Sequence, residues 1–360
     1  MIQHVQVLRF LAAFWVVLFH AQAPTVPAEL LPPWLPAWQA VMQAGFAGVD
    51  IFVVISGAIM AEATRPLAPG ARSAARFIAV RFSRIYIGWW PFFLLYLLAY
   101  GLHGSLREQV QLAGSFFLWP LPLDGYLVPL LWTLSFELYF YLVVGLLLLL
   151  PRPLMLRLLW CWAAAVLIFL AVNLQSGMYQ PQRFGETGLW HQVLGFPLVL
   201  EFIAGFLLCE WLRRRPQTPW WPFAMGAVVL AAAAAAYQTL GGLHASGLAG
   251  YYHGPERTLL LGGAACGLVA CALLWRPPQN GLVLALARLG EASYALYLGH
   301  LLVLVVSYYL ALQLGPPAWL LPVLYLLALS GTTAYAWLHF RWIERPLYRR
   351  ARHAINRLLP

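Results

Sequence analysis

Residues 126–150 read YLVPLLWTLSFELYFYLVVGLLLLL, and in that whole stretch only Glu137 carries a charge. A helix crosses the hydrocarbon of a bilayer with about 20 mostly apolar residues. The stretch therefore reads as a membrane span with a carboxylate near its middle. Runs of the same character flank it, near 5–22, 45–63, 85–102, 157–174, 193–212, 220–240, 257–275, 290–313 and 318–340. The expected fold is all-α: a polytopic membrane helical bundle of about ten transmembrane helices. Whole-chain figures agree, with 360 residues of which 62% are hydrophobic and 9% charged, and a mean hydropathy of +0.74. Soluble domains charge roughly a quarter of their residues. Soluble enzymes, secreted factors and disordered chains are excluded.

The net charge is +10, and all 22 basic residues are arginines. Basic balance can signal nucleic acid, but in a membrane protein topology comes first. With a cytoplasmic N-terminus, the inner loops hold Arg65, Arg72, Arg76, Arg81 and Arg84, then Arg152 and Arg157, Arg213 to Arg215, Arg276 and Arg288, and every arginine from Arg341 to Arg357. Arg107, Arg183 and Arg257 fall outside, and Arg9 sits within the first span. This bias places both termini in the cytoplasm and accounts for the charge with a lipid bilayer as partner and no nucleic acid. Residues 346–360 read as a short basic cytoplasmic tail, with no soluble domain at either end. The proline-rich stretch 23–38 is expected to lie along the outer membrane surface. Ala21-Gln22-Ala23 imitates a signal-peptide cleavage site, which Pro24 and the arginine balance disfavour. Cys161, Cys209, Cys266 and Cys271 lie in apolar runs and read as small core residues. The histidines are scattered, so no metal site is expected.

Ionisable groups inside spans are costly unless paired or wetted. Arg9 and His20, eleven positions apart, share one helix face with about 16 Å of rise between them. They are either snorkelling interfacial residues or parts of a site. Asp50 opens the second span; it either complements the helix dipole or orients His20, since a carboxylate fixes an imidazole tautomer. Arg81 and Arg84 share a face at the inner start of the third span. They either anchor topology or grip a phosphate or pyrophosphate. Thr133, Glu137 and Tyr141 form a polar stripe in the fourth span, and Glu137 is the hardest of these residues to explain as structure. Ser293, Tyr297 and His300 share a face in the ninth span, where His300 reads as a site residue or as a hydrogen-bonded core histidine. Glu201 reads as a structural partner.

At these residues the chain resembles the acyltransferase-3 family of integral-membrane O-acyltransferases, many of which decorate bacterial surface polysaccharides. LRFLAA through Val17-Leu18-Phe19-His20 is similar to the family's R-x10-H first helix. GVDIFVVISG from Gly48, RFSRIY from Arg81, WTLSFELYFY from Trp132, SYALYLGH from Ser293 and WIERP from Trp342 resemble the motifs that follow, in family order over nearly the whole chain. There are departures. Ala58-Ile59-Met60 replaces bulkier residues, Glu137 stands alone where many members have two adjacent acids, and no esterase-like domain is appended.

The resemblance implies an acyl-CoA donor, most often acetyl-CoA, as co-substrate with no permanently bound cofactor. The acceptor it implies is a sugar hydroxyl of a polysaccharide, exopolysaccharide included, or of a lipid-linked glycan at the bacterial inner membrane. Residues 1–345 would form the transferase domain. Arg81 and Arg84, with Arg9, would hold the donor phosphates, and His20 would be the general base, oriented by Asp50 or Glu137. Trp132, Ser135, Tyr297 and His300 would support the site. The competing class is a secondary transporter or exporter of a glycan-related substrate, which would also carry midplane acids and histidines. No internal repeat supports it. A lipid-linked-sugar glycosyltransferase would be expected to have larger, more acidic outer loops.

Overall fold

The computed structural model describes residues 3–21, 41–177, 193–239, 254–275 and 280–359. The proline-rich stretch 23–38, Arg183 and Arg276 lie outside these, as do Gln22 and Ala23 of the cleavage-like tripeptide. Every regular element among the described residues is helical. This is the solution hydrocarbon imposes, because a helix satisfies its own backbone polar groups. In chain order the helices are α1 Gln3–His20, α2 Gly48–Thr64, α3 Ala71–His103, α4 Leu112–Phe117, α5 Leu131–Leu147, α6 Arg152–Gln175, α7 Leu198–Arg214, α8 Trp221–Thr239, α9 Pro255–Leu274, α10 Gly281–Glu291, α11 Ser293–Leu314, α12 Leu321–His339 and α13 Arg345–Leu358.

Among the described residues, seven helical segments are long and apolar enough to cross a membrane: Val41–Thr64, α3, α6, Trp221–Gln238, α9, α11 and Leu321–Leu358. The other three expected spans form helices too, but shorter or more polar ones. They are α1 with Arg9, α5 with 17 residues and α7 with 17. The stretch 126–150 is helical only from Leu131 to Leu147, because the chain is irregular through Pro129, and the Tyr126 hydroxyl reaches back to the Trp119 carbonyl at 2.8 Å. Residues 346–360 are more than a tail. A π turn at Phe340–Glu344 carries α12 into α13, which is helical to Leu358. Of the cysteines, Cys209 is buried and Cys161 stands exposed on α6.

Contacts divide the chain into two compact units, residues 1–49 with 277–347 and residues 50–276 with 348–360. In the first, α1 packs on α10 and α11, and α11 packs on α12. Ala12, Ala13, Val16 and Val17 form the buried face of α1. In the second, α3 packs on α5, α7 on α6 and α9, and α8 on α9. Stacked rings join α5 to α7 and the turn before it, Phe136 on Phe196 at 4.7 Å and Phe140 on Phe202 at 4.4 Å.

Helices α2 and α7 touch backbone to backbone. A Cβ on Gly57 would sit 2.0 Å from the Phe202 carbonyl oxygen, and one on Gly205 would sit 2.1 Å from that of Val54. Small residues permit such approaches between apolar helices, where packing rather than hydrophobicity drives association. The contact sets Asp50 and Glu201, one on each helix, within the same unit. Gly205→Leu should destabilise the protein by roughly 1–3 kcal/mol or more. Gly226→Ala, which meets no atom within 4 Å, should leave it unchanged. Thermal unfolding in nanodiscs measures both.

Candidate active site

In the first unit, the C-terminal residue of α1 meets the eighth residue of α11. His20 is exposed, whereas His300 is completely buried. Their rings lie 4.9 Å apart, and His300 Nε2 is 3.2 Å from His20 Nδ1. The backbone settles which nitrogens carry protons. His300 Nδ1 faces the carbonyl oxygens of Tyr297 at 2.7 Å and Leu296 at 3.3 Å, so it donates. His20 Nδ1 faces the Val16 carbonyl at 2.9 Å, so it also donates. Two N–H groups cannot point at each other, so His300 Nε2 is the acceptor in this pair. His20 Nε2 takes no part in these bonds and lies at the exposed end of α1. Tyr297 and Ser293, predicted on the same face as His300, are buried with it on α11.

Arg9 lies buried on α1, with Nη1 3.3 Å from Gln6 Oε1. In the second unit, Asp50 is fully buried and is held by an arginine. Arg257 Nη2 donates to Oδ2 at 2.7 Å and Nε to Oδ1 at 3.1 Å. Glu201 lies beside this pair, against the π turn Thr258–Gly262 of α9. One guanidinium thus faces two acid side chains in a site where all three residues are almost wholly buried. The physical reason for the pairing is cost. A carboxylate at this depth needs a full positive charge beside it, and a neutral ring supplies none. Sequence reasoning passed over Arg257 as an outer-loop arginine. The signal was its breach of the arginine bias. Arg107, another breach, also has a structural task, donating to the Tyr126 carbonyl at 3.1 Å.

Also in the second unit, the polar stripe of α5 is real. The Tyr141 hydroxyl donates to Glu137, and the Arg81 guanidinium lies 5.8 Å from the Tyr141 ring centre. A chain of contacts therefore joins Arg81, Tyr141 and Glu137. Arg84 lies over the Tyr348 ring at 6.0 Å. Trp132 and Ser135 hold α5 in place. Trp132 meets Phe136 and Phe196 edge-on, each at 5.9 Å, and the Ser135 hydroxyl is 2.8 Å from that of Tyr126. Among the described residues, no three His, Cys, Asp or Glu side chains gather as a metal would require.

A sequence profile described as an acyltransferase domain matches residues 2–341. The exopolysaccharide production protein ExoZ of Rhizobium meliloti (strain 1021) is 33% identical over 333 residues, 86% of this chain and 91% of that relative. No solved structure matches.

The Asp50–Arg257–Glu201 arrangement predicts an asymmetry. Arg257→Met strands two acid side chains together and should cost about 3–5 kcal/mol. Asp50→Asn leaves Glu201 for the guanidinium and should cost clearly less. Equal losses in thermal unfolding would show that Glu201 takes no part.

Proposed function

The chain belongs to the acyltransferase-3 family, and from that premise we propose that it transfers an acyl group, most simply acetyl, from acyl-CoA to a hydroxyl of a cell-surface polysaccharide or its lipid-linked precursor. The observation that carries this reading is the histidine pair, with His20 Nδ1 held 2.9 Å from the Val16 carbonyl and 3.2 Å from His300 Nε2. An imidazole whose other nitrogen is held by backbone-anchored donation is a general base without a carboxylate beside it. His20 Nε2 takes the proton of the acceptor hydroxyl as that oxygen attacks the thioester carbonyl carbon. The C–O bond forms, the C–S bond breaks, and the proton passes from His20 to the leaving thiolate. The products are an O-acyl sugar and free CoA. His300 is a positioning residue, since it acts through the His20 ring.

Arg81 and Arg84 bind the donor's phosphates, and Arg9 of α1 is a further donor-binding residue in this reading. Glu137 and Tyr141 position Arg81, and Arg257 holds Asp50. The 16 Å or so of helix rise between Arg9 and His20 suits an extended pantetheine arm running from the phosphates to the base. The reading includes ten spans in the bacterial inner membrane, with α1, α5 and α7 completing the seven longer ones. Residues 1–345 form the transferase domain, and both termini are cytoplasmic. The arginine distribution supports that orientation. The likeness to an exopolysaccharide production protein supports a glycan acceptor.

His20→Ala should lower the transfer rate by roughly 10²–10⁴-fold while the protein still reaches the membrane. This is read from acetyl-CoA consumption and from mass spectrometry of surface glycans, where one acetyl unit per repeat should be lost. His300→Leu should lower kcat with little change in KM. His300→Gln should recover part of it, because its amide oxygen can accept from His20 Nδ1–H. Arg81→Ala with Arg84→Ala should raise the apparent KM for acyl-CoA about tenfold or more. Unaltered donor dependence in that double variant would remove the arginine pair from the donor site.

A further inference from the structure

Helix α13 lies against the inner end of α3. Arg76 of α3 donates from Nε and Nη2 to Asn356 Oδ1 at 3.2 and 3.0 Å, and Arg84 covers the Tyr348 ring. The lower-numbered end of each helix's contact region meets the higher-numbered end of the other, so the two run antiparallel. Tyr348, Arg352 and Asn356 follow i, i+4, i+8 and share one stripe. Arg352 is therefore level with the middle of the Arg76–Arg84 stretch. Arg349 projects from the same flank as Asn356, and both Arg349 and Arg352 are exposed.

Neither helix contains an aspartate or glutamate. Two arginine-bearing helices packed side by side repel each other unless an anion enters between them. Helix α3 is also long enough to carry this charge clear of the lipid. Its 33 residues span about 50 Å, well beyond the roughly 30 Å of hydrocarbon.

CoA carries a pyrophosphate and a separate 3′-phosphate on its ribose. A phosphate monoester alone bears about −1.5 to −2 at neutral pH. Even with Arg9 counted beside Arg81 and Arg84, three positive charges fall short of the pyrophosphate and the 3′-phosphate together. We infer that α13 forms the second wall of the donor site, with Arg349 and Arg352 holding the 3′-phosphate. The inference rests on the acyl-CoA reading above, and it gives the terminal helix a substrate-binding role where the sequence offered only a topological anchor.

The test is equilibrium binding of CoA and of 3′-dephospho-CoA to the full chain in nanodiscs of zwitterionic lipid. The wild type should prefer CoA by about tenfold or more, the worth of charge-assisted contacts to one phosphate. Arg349→Gln with Arg352→Gln should bind CoA as weakly as dephospho-CoA, with dephospho-CoA affinity within about twofold of wild type. That second ligand shows that the variant is folded. Arg349→Lys with Arg352→Lys should retain part of the preference. Arg350→Gln with Arg357→Gln, on the opposite flank, should leave both affinities unchanged. If the glutamine variant keeps the full preference for CoA, the role given to α13 is wrong and the acyl-CoA reading stands. If the wild type binds neither nucleotide, the acyl-CoA reading fails and takes this inference with it.

Discussion

Every charge carried into the apolar body of this protein has to bring its own partner, and those partners fix which helices lie together. Asp50 and Arg257 tie α2 to α9. Arg152 at the start of α6 reaches Glu210 on α7 at 2.6 Å, Thr64 of α2 at 2.7 Å and the Ala61 carbonyl at 3.2 Å. Arg213 and Glu62 close a second link between α7 and α2. Tyr141, with Glu137 on one side and Arg81 on the other, links α5 to α3. Hydrophobic burial cannot choose among apolar helices that lipid solvates equally well. Paired charges and close backbone contacts can. The cost of an unpaired ion makes each wrong pairing expensive.

The histidine pair obeys the same constraint by another route. His300 is buried without an ion beside it because both of its nitrogens are satisfied, one by backbone carbonyls and one by His20. A carboxylate in its place would need a cation as well. The arrangement keeps the His20 ring oriented. The orientation comes from the helix backbone, which is the most rigid hydrogen-bonding partner available in a membrane protein. The ionic clusters of the second unit differ in their partners. The Asp50 cluster pairs acids with a guanidinium, while Arg81 and Arg84 of α3 lie against the Tyr141 and Tyr348 rings.

Much of the candidate site was legible in the sequence, because its residues are grouped by helical spacing. Thr133, Glu137 and Tyr141, or Ser293, Tyr297 and His300, are neighbours by periodicity alone, and the structure keeps them so. Asp50 was offered either as a complement to the helix dipole or as a partner for His20. Depth along a span is all that spacing gives, and it did not point to Arg257. Arg257 was counted as loop charge, although its position against the bias of the other arginines marked it as having a specific task.

The sequence by itself determined that this chain is a bundle of membrane helices, where most of them begin and end, and which side chains share a helix face. It also determined the family, since ordered motifs are a property of the sequence alone. Only the tertiary structure decided the pairs: His20 with His300 across 280 positions, Asp50 with Arg257 across 207, and Arg76 with Asn356 across 280. The physical reason is range. Helical periodicity relates residues three to eight apart, whereas the choice of partner helix depends on the packing and charge balance of the whole bundle, which no local spacing encodes.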